Sequence, residues 1–237
     1  SKTPEMLFDC EADPHQVKNL AGDPQYAQPL LELRQRLQTI VKSLPDLSFY
    51  PESFLAEHAM DNPVKFGQQH KQNIAALIDI ADLALLPYAK AKPALKSALT
   101  SKDPMKRYWA AMACTSFGED ARELADQTQP LLKDPSLVVR MRAAEFLGSI
   151  GVINPQIILT EIVNTSQNPV EATEALNSVV WFRDFFANRY PVQRSDFRPA
   201  SQGADINDRL NYINGIPYPP KTGKQRVRNR KPVKPVK

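Results

Sequence analysis

A chain of 237 residues, 42% hydrophobic and 24% charged, can bury a core, and no apolar run in it reaches the 18 or so residues that a membrane span needs. Eight glycines against 21 prolines, with neither a GxGxxG nor a GxxxxGKS/T loop, exclude the common nucleotide-binding enzymes. The net charge of +4 averages two unlike parts: residues 221–237 hold eight Lys or Arg and no acid, and subtracting those eight leaves −4 on residues 1–220.

The first element, Glu5 to Cys10, alternates enough to predict one short strand, which needs a sheet from elsewhere to satisfy its backbone. Asp13-Pro14 and Asp23-Pro24 are turn and helix-start signals, because an Asp side chain accepts backbone N–H bonds and Pro suits the first helical turn. Behind them Leu30, Leu33, Leu37, Ile40, Val41 and Leu44 recur at helical spacing up to Pro45, with Pro29 expected to kink or delay the start. Residues 47–69 lack a sustained period and read as a linker that could hold a short helical turn.

From residue 70 to 187 a repeat emerges. RYWAAMACTSFG (Arg107–Gly118) and RMRAAEFLGSIG (Arg140–Gly151) share R-x-x-A-A-x6-G at a spacing of 33. Each copy follows an Asp-Pro start, Asp103-Pro104 or Asp134-Pro135. Each precedes a second, shorter apolar segment, ELADQTQPLL or IILTEIV. Paired alanines allow helices to approach closely, and Gly118 and Gly151 supply the positive-φ caps. The stripe Met105, Tyr108, Trp109, Met112, Ala113 and Phe117 reads as core. The pattern resembles HEAT repeats, so the expected class is mainly α: a HEAT-like α–α solenoid of three helix pairs and an end helix. Beyond Arg183 the period stops, and residues 188–237 read as an extended Pro-rich segment over the repeats followed by a disordered basic tail.

Candidate chemistry is sparse. Asp9, Cys10, Glu11, Asp13 and His15 crowd together, but they read better as a strand end and a capped turn than as a metal site. His15, His58 and His70 have no ligand spacing. Cys10 and Cys114 are too few for a disulfide framework, and both are expected to be buried free thiols. Glu119/Asp120 and Glu171/Glu174 suit helix starts electrostatically. Arg107 and Arg140 recur with the repeat, which favours structural ion pairing over an anion-binding ridge. No catalytic, cofactor-binding or metal-binding residue is assigned. The tail could attract a polyanion such as nucleic acid, an acidic membrane or sulfated polysaccharide, though it lacks the interleaved aromatics that stack on bases.

Residues 5–24 carry a family resemblance. EMLFDCEADPHQVKNLAGDP resembles the C-terminal segment of type I sulfatases, E-L-Y-D-L-x-x-D-P-x-E-x-x-N-L-A-x-D-P. Glu5, Leu7 or Phe8, Asp9, Asp13, Pro14, Asn19, Leu20, Ala21, Asp23 and Pro24 hold the pattern. Cys10 stands where Leu is usual, and Gln16 where an acid is. The repeats are similar to the helical extension of some bacterial sulfatases, so the likeness covers about residues 5–185. It implies that residues 1–46 end a small C-terminal subdomain whose strand joins a sheet packed on a catalytic domain. It also implies formylglycine made within a Cys/Ser-x-Pro-x-Arg motif and a calcium ion, both outside this chain. The nearest sequence, Ser43-Leu44-Pro45-Asp46-Leu47, has Leu where Arg is required. The expected partner is then the sulfatase catalytic domain, with a periplasmic or extracellular location and a natural N-terminus further upstream. The alternative is a freestanding HEAT-type module that binds a protein on its repeat face.

Overall fold

Proline preceded by a capping Asp or Asn punctuates the chain and starts the helices at Pro63, Pro104, Pro155 and Pro169, whereas Asp134-Pro135 falls short of its helix, which begins at Leu137 behind Ser136. The computed structural model describes residues 5–186 and 189–216. Its helices are α1 (Ala27–Ser43), α2 (Glu52–His58), α3 (Pro63–Ala81), α4 (Tyr88–Leu99), α5 (Pro104–Phe117), α6 (Ala125–Thr128), α7 (Leu137–Ser149), α8 (Pro155–Thr165), α9 (Pro169–Phe185) and α10 (Ala204–Ile213). Asn62, Asp103, Asn154 and Asn168 each accept a bond from a backbone N–H in the first turn of α3, α5, α8 and α9, with Pro next in sequence. Pro29 lies in the first turn of α1, where its missing N–H costs no helical bond, so it neither delays nor interrupts the helix.

Helices α3, α5, α7 and α9 stack side by side as one row. A second layer, α4, the 118–133 segment and α8, packs against it. This is the helix-pair architecture that the 33-residue period predicts. Both repeat glycines have positive φ, 55° at Gly118 and 73° at Gly151. At Gly151 the N–H donates to Gly148 O (3.0 Å) and the Val152 N–H to Leu147 O (2.8 Å), the paired bonds of a Schellman cap. The second helix of the first repeat is not continuous: 3-10 turns at Gly118–Leu124 and Gln129–Lys133 flank the four-residue α6. Pro130 has no N–H to donate there, which favours the tighter turn.

Two clusters form the core. The first gathers α3 to α7, with Ile74, Leu77, Leu95, Leu99, Leu124 and Phe146 fully buried. The second gathers α8 to α10 around Leu159, Ile162, Leu176, Phe182 and Phe197. Helix α7 serves both, which explains why nine of its thirteen residues are buried and why it shows no polar stripe. Met105, Tyr108 and Ala113 are core residues, and Trp109, Met112 and Phe117 pack on the core edge.

Four expectations need correction. No strand forms at Glu5–Cys10, and none occurs among the described residues. The segment is extended and clasped by one side chain instead. The Leu7 N–H donates to Asn19 Oδ1 (2.9 Å), Asn19 Nδ2 donates to Glu5 O (3.2 Å), and the Leu20 N–H donates to Leu7 O (2.8 Å). Asn19 thus supplies the bonds a neighbouring strand would give. Cys10 is exposed, because without a sheet nothing covers it; Cys114 is buried as expected. The stretch read as a linker holds a 3-10 turn at Leu47–Phe49, helix α2 and the start of α3. Finally, the segment after residue 188 lies over the repeats but also forms α10, whose Ile206, Leu210 and Ile213 are buried against α8 and α9. Residues 221–237 lie outside the described residues.

Candidate functional site

The residues that looked most like chemistry are occupied with backbone. Asp9 Oδ1 accepts from the Glu11 and Ala12 N–H groups (both 3.1 Å), and Asp13 Oδ2 accepts from the Lys18 N–H (2.8 Å). Among the described residues no three His, Cys, Asp or Glu side chains gather as metal ligands would. His58 packs on Phe54, and His70 stacks on Phe66 with Nδ1 2.8 Å from Phe66 O. Ser43 Oγ donates to Ile40 O at the end of α1. Burial pushes the Cys114 thiol up to about 12, which keeps it protonated and inert.

The repeat arginines are structural braces. Arg107 grips Asp134 with both Nε (2.6 Å) and Nη2 (2.9 Å), and its Nη1 donates to Ser101 O (2.7 Å). Asp134 also accepts from the Ser136 N–H, so one carboxylate ties α5 to the entry of α7. Arg140 does the same one repeat later, donating to Leu132 O (3.0 Å) and Glu161 Oε1 (2.6 Å). Glu119 pairs with Arg122 in the first turn after Gly118.

Two surfaces remain that packing does not explain. The first is α1. None of its residues is buried, and Leu33, Leu37, Ile40 and Leu44, which fall on one side at helical spacing, are each half exposed or more. Its opposite side is anchored. Arg34 pairs with Glu5, Gln38 Nε2 donates to Asp82 Oδ2 (2.8 Å), and Lys42 pairs with Asp79. The Arg34 hydrogen bond holds the Glu5 carboxyl below the usual range. Between α1 and the Asp82–Leu85 turn a largely apolar cleft of about 360 Å³ opens, lined by Leu31, Leu37, Val41, Phe49, Ile78 and Leu86. Single exposed leucines are ordinary, but four on one helix beside an apolar cleft form a patch.

The second surface is a polar cleft of about 360 Å³ where α5, α7 and α9 meet, with Thr115, Arg142, Glu145, Glu174, Asn177, Ser178 and Trp181 on its walls. Arg142 Nη1 donates to both Glu145 oxygens (2.6 and 2.7 Å), Ser178 Oγ donates to Glu145, and the Arg142 guanidinium lies 5.1 Å from the Tyr108 ring centre. Burial alone would lower the Arg142 pKa, but Glu145 and Tyr108 more than offset it, so the guanidinium stays charged. Glu174 was expected to serve a helix start; instead it accepts from Ser53 Oγ (3.2 Å) across the gap to α2, and burial raises its pKa. Asn168 Nδ2 reinforces this contact through Glu57 Oε1 (2.8 Å). The 47–58 segment therefore runs from Trp109 of α5, whose Nε1 donates to Phe49 O (2.8 Å), to α9, and the chain itself occupies part of the repeat face. Arg142, Glu145 and Ser178 were missed from sequence. The available signal was Arg142 and Glu145, a charged pair three residues apart, set beside the repeat arginine Arg140 in the largely apolar LVVRMRAAEFLGS.

Residues 92–179 match the family model for HEAT repeats. Over 54 residues the chain is 44% identical to an ulvan-active sulfatase of Formosa agariphila (strain DSM 15362 / KCTC 12365 / LMG 23005 / KMM 3901 / M-2Alg 35-1). That stretch is 23% of this chain and 9% of the sulfatase, so the match spans a small part of that protein's length. No solved structure gives a significant match.

Proposed function

We propose that this chain is the C-terminal, non-catalytic part of a sulfatase-like protein. The helical repeats would act as a packing scaffold, and α1 as the surface that meets the rest of that protein. The observation that carries the reading is the uncovered ridge Leu33, Leu37, Ile40 and Leu44. It follows directly on residues 5–24, whose pattern resembles the close of a sulfatase. Fully burying an exposed Leu or Ile side chain is worth about 1.5–3 kcal/mol; these four are half exposed or more, so covering the remainder would be worth about half of that for each, a sizeable sum for one ridge. The match of residues 92–179 to HEAT repeats and the partial similarity to a sulfatase support this reading. Calcium and formylglycine chemistry would belong to the larger body, and export to the periplasm or beyond would follow from it. A freestanding protein-binding module is less favoured, because segment 47–58 already lies against α5 and α9.

The test pairs the isolated chain with the polypeptide encoded together with its upstream sequence. By itself the chain should leave p-nitrophenyl sulfate intact; hydrolysis at enzyme-like rates would sink the reading. In the longer polypeptide, Leu37→Glu with Ile40→Glu should lower the melting temperature, while the isolated chain should tolerate both. Equal effects in the two contexts would show that α1 meets nothing.

A further inference from the structure

We infer that the cleft over α9 holds a neutral sugar unit of a polysaccharide, stacked on Trp181. The inference rests on the sulfatase-like reading and deepens it by naming what the repeats would grip. A pyranose ring offers apolar C–H faces rimmed by hydroxyls, and it is held by an aromatic plate with donors and acceptors around the edge. Trp181 supplies the plate: it is half buried and backed by Phe182 (4.6 Å between centres) and Phe186 (5.6 Å), which fix its tilt. Its Nε1 has no partner among the described residues. Asn177 spends Oδ1 on Arg209 Nε (3.0 Å), leaving Nδ2 to donate, and Glu174 spends Oε2 on Ser53, leaving Oε1 to accept. Trp181, Asn177 and Glu174, which carry an indole donor, an amide donor and a carboxylate acceptor, thus line one cleft of about 360 Å³.

Charge selects the kind of sugar. Arg142 Nη1 donates to both Glu145 oxygens while its Nε is buried without a partner among the described residues, and Arg209 is held by Asp205 and Asn177. Each guanidinium is balanced by its own carboxylate, Glu145 or Asp205, so Glu174 is the acid left over beside the plate and a sulfate ester would meet like charge. The site therefore favours an unsulfated unit. Asn177 also borders two further hollows along α9, one with Val180 and Tyr212 and one with Thr173 and Glu52. A 17-residue helix is about 25 Å long, enough for several sugar rings in line, which points to a polymer rather than a free monosaccharide.

Calorimetry and tryptophan emission would be recorded with the whole chain against three probes: ulvan oligosaccharides desulfated and carboxyl-reduced, the same oligosaccharides intact, and their constituent monosaccharides. The desulfated oligosaccharides should bind and shift the emission, and the intact and monomeric probes should bind more weakly. Trp181→Ala and Asn177→Ala should each weaken binding at least about tenfold, with far-ultraviolet dichroism and melting confirming the fold. Asn177→Ala removes no core contact, so it remains informative if the tryptophan variant unfolds. Failure of the desulfated probe to bind, equal binding of the sulfated probe, or wild-type binding by a folded variant would overturn the assignment. None of those results bears on α1, so the sulfatase-like reading would stand or fall separately.

Discussion

Arg107 shows how much one side chain can brace. Its guanidinium side chain is 14% exposed and the Asp134 carboxylate 3%, so the pair is nearly dry and held by two parallel bonds. Removing one partner strands a buried charge, which typically costs about 3–5 kcal/mol. Arg107→Ala should therefore lower the urea midpoint strongly, and Arg107→Ala with Asp134→Ala should recover part of the loss; a single-variant effect below about 1 kcal/mol would refute the brace. This role was legible in sequence because the arginine recurs with the repeat, as a structural part must. Glu174 was not legible: nothing local says that Ser53, 121 residues away, will face it. Burial raises the pKa of both Glu171 and Glu174 above the ordinary 4.5, so the folded chain holds protons there that the unfolded chain has released. Their contribution is most favourable below pH 4.5 and is lost as pH rises through the raised values. Glu174→Gln should flatten that part of the pH–stability curve, as read from urea midpoints across mildly acidic to neutral pH. An unchanged slope would mean that the carboxylate is not desolvated.

At the scale of elements, the chain was most readable where caps and period agree. The Asp103-Pro104 start marks α5, Asp134-Pro135 comes within two residues of α7, and the glycine ends mark both helices. Three elements escaped because their signal was short. Helix α10 had only Ile206, Leu210 and Ile213 in a polar setting, and no capping side chain at Gly203. The 47–58 segment is held by aromatic packing of Tyr50 on Phe54 and Phe66, which has no sequence period. Glu5–Cys10 looked like a strand because extended backbone and strand share the same alternation; the clasp by Asn19 is a tertiary fact. Helix contact distance also resides here. A Cβ on Gly148 would come 2.5 Å from Pro155 Cγ and 2.9 Å from Phe182 Cζ, both across to neighbouring helices. Gly148→Ala should cost about 1–2 kcal/mol despite alanine's better helix propensity, because α8 and α9 must move outward. A stabilised variant in thermal melts would show that this approach is not tight.

For the whole molecule, the two halves make different demands. The repeats close their own core, with α7 shared between two clusters and α10 sealing the far end. The N-terminal part does not: α1 has no fully buried residue, sets Val41 against the core edge and leaves Leu33, Leu37, Ile40 and Leu44 half exposed or more. That asymmetry could not be read from the sequence, where the α1 stripe looks like any amphipathic helix; only the packing shows that the Arg34, Gln38 and Lys42 side is the one held, by Glu5, Asp82 and Asp79. The resemblance in residues 5–24 and the match to a small part of a much longer sulfatase agree with a chain that continues into a larger body. The most direct test is the mass and peptide content of the native polypeptide, captured from source cells with an antibody to the repeats. A species several times heavier than 26.6 kDa, yielding a peptide with Cys/Ser-x-Pro-x-Arg, is expected. A native species of 26.6 kDa with no such peptide would contradict it.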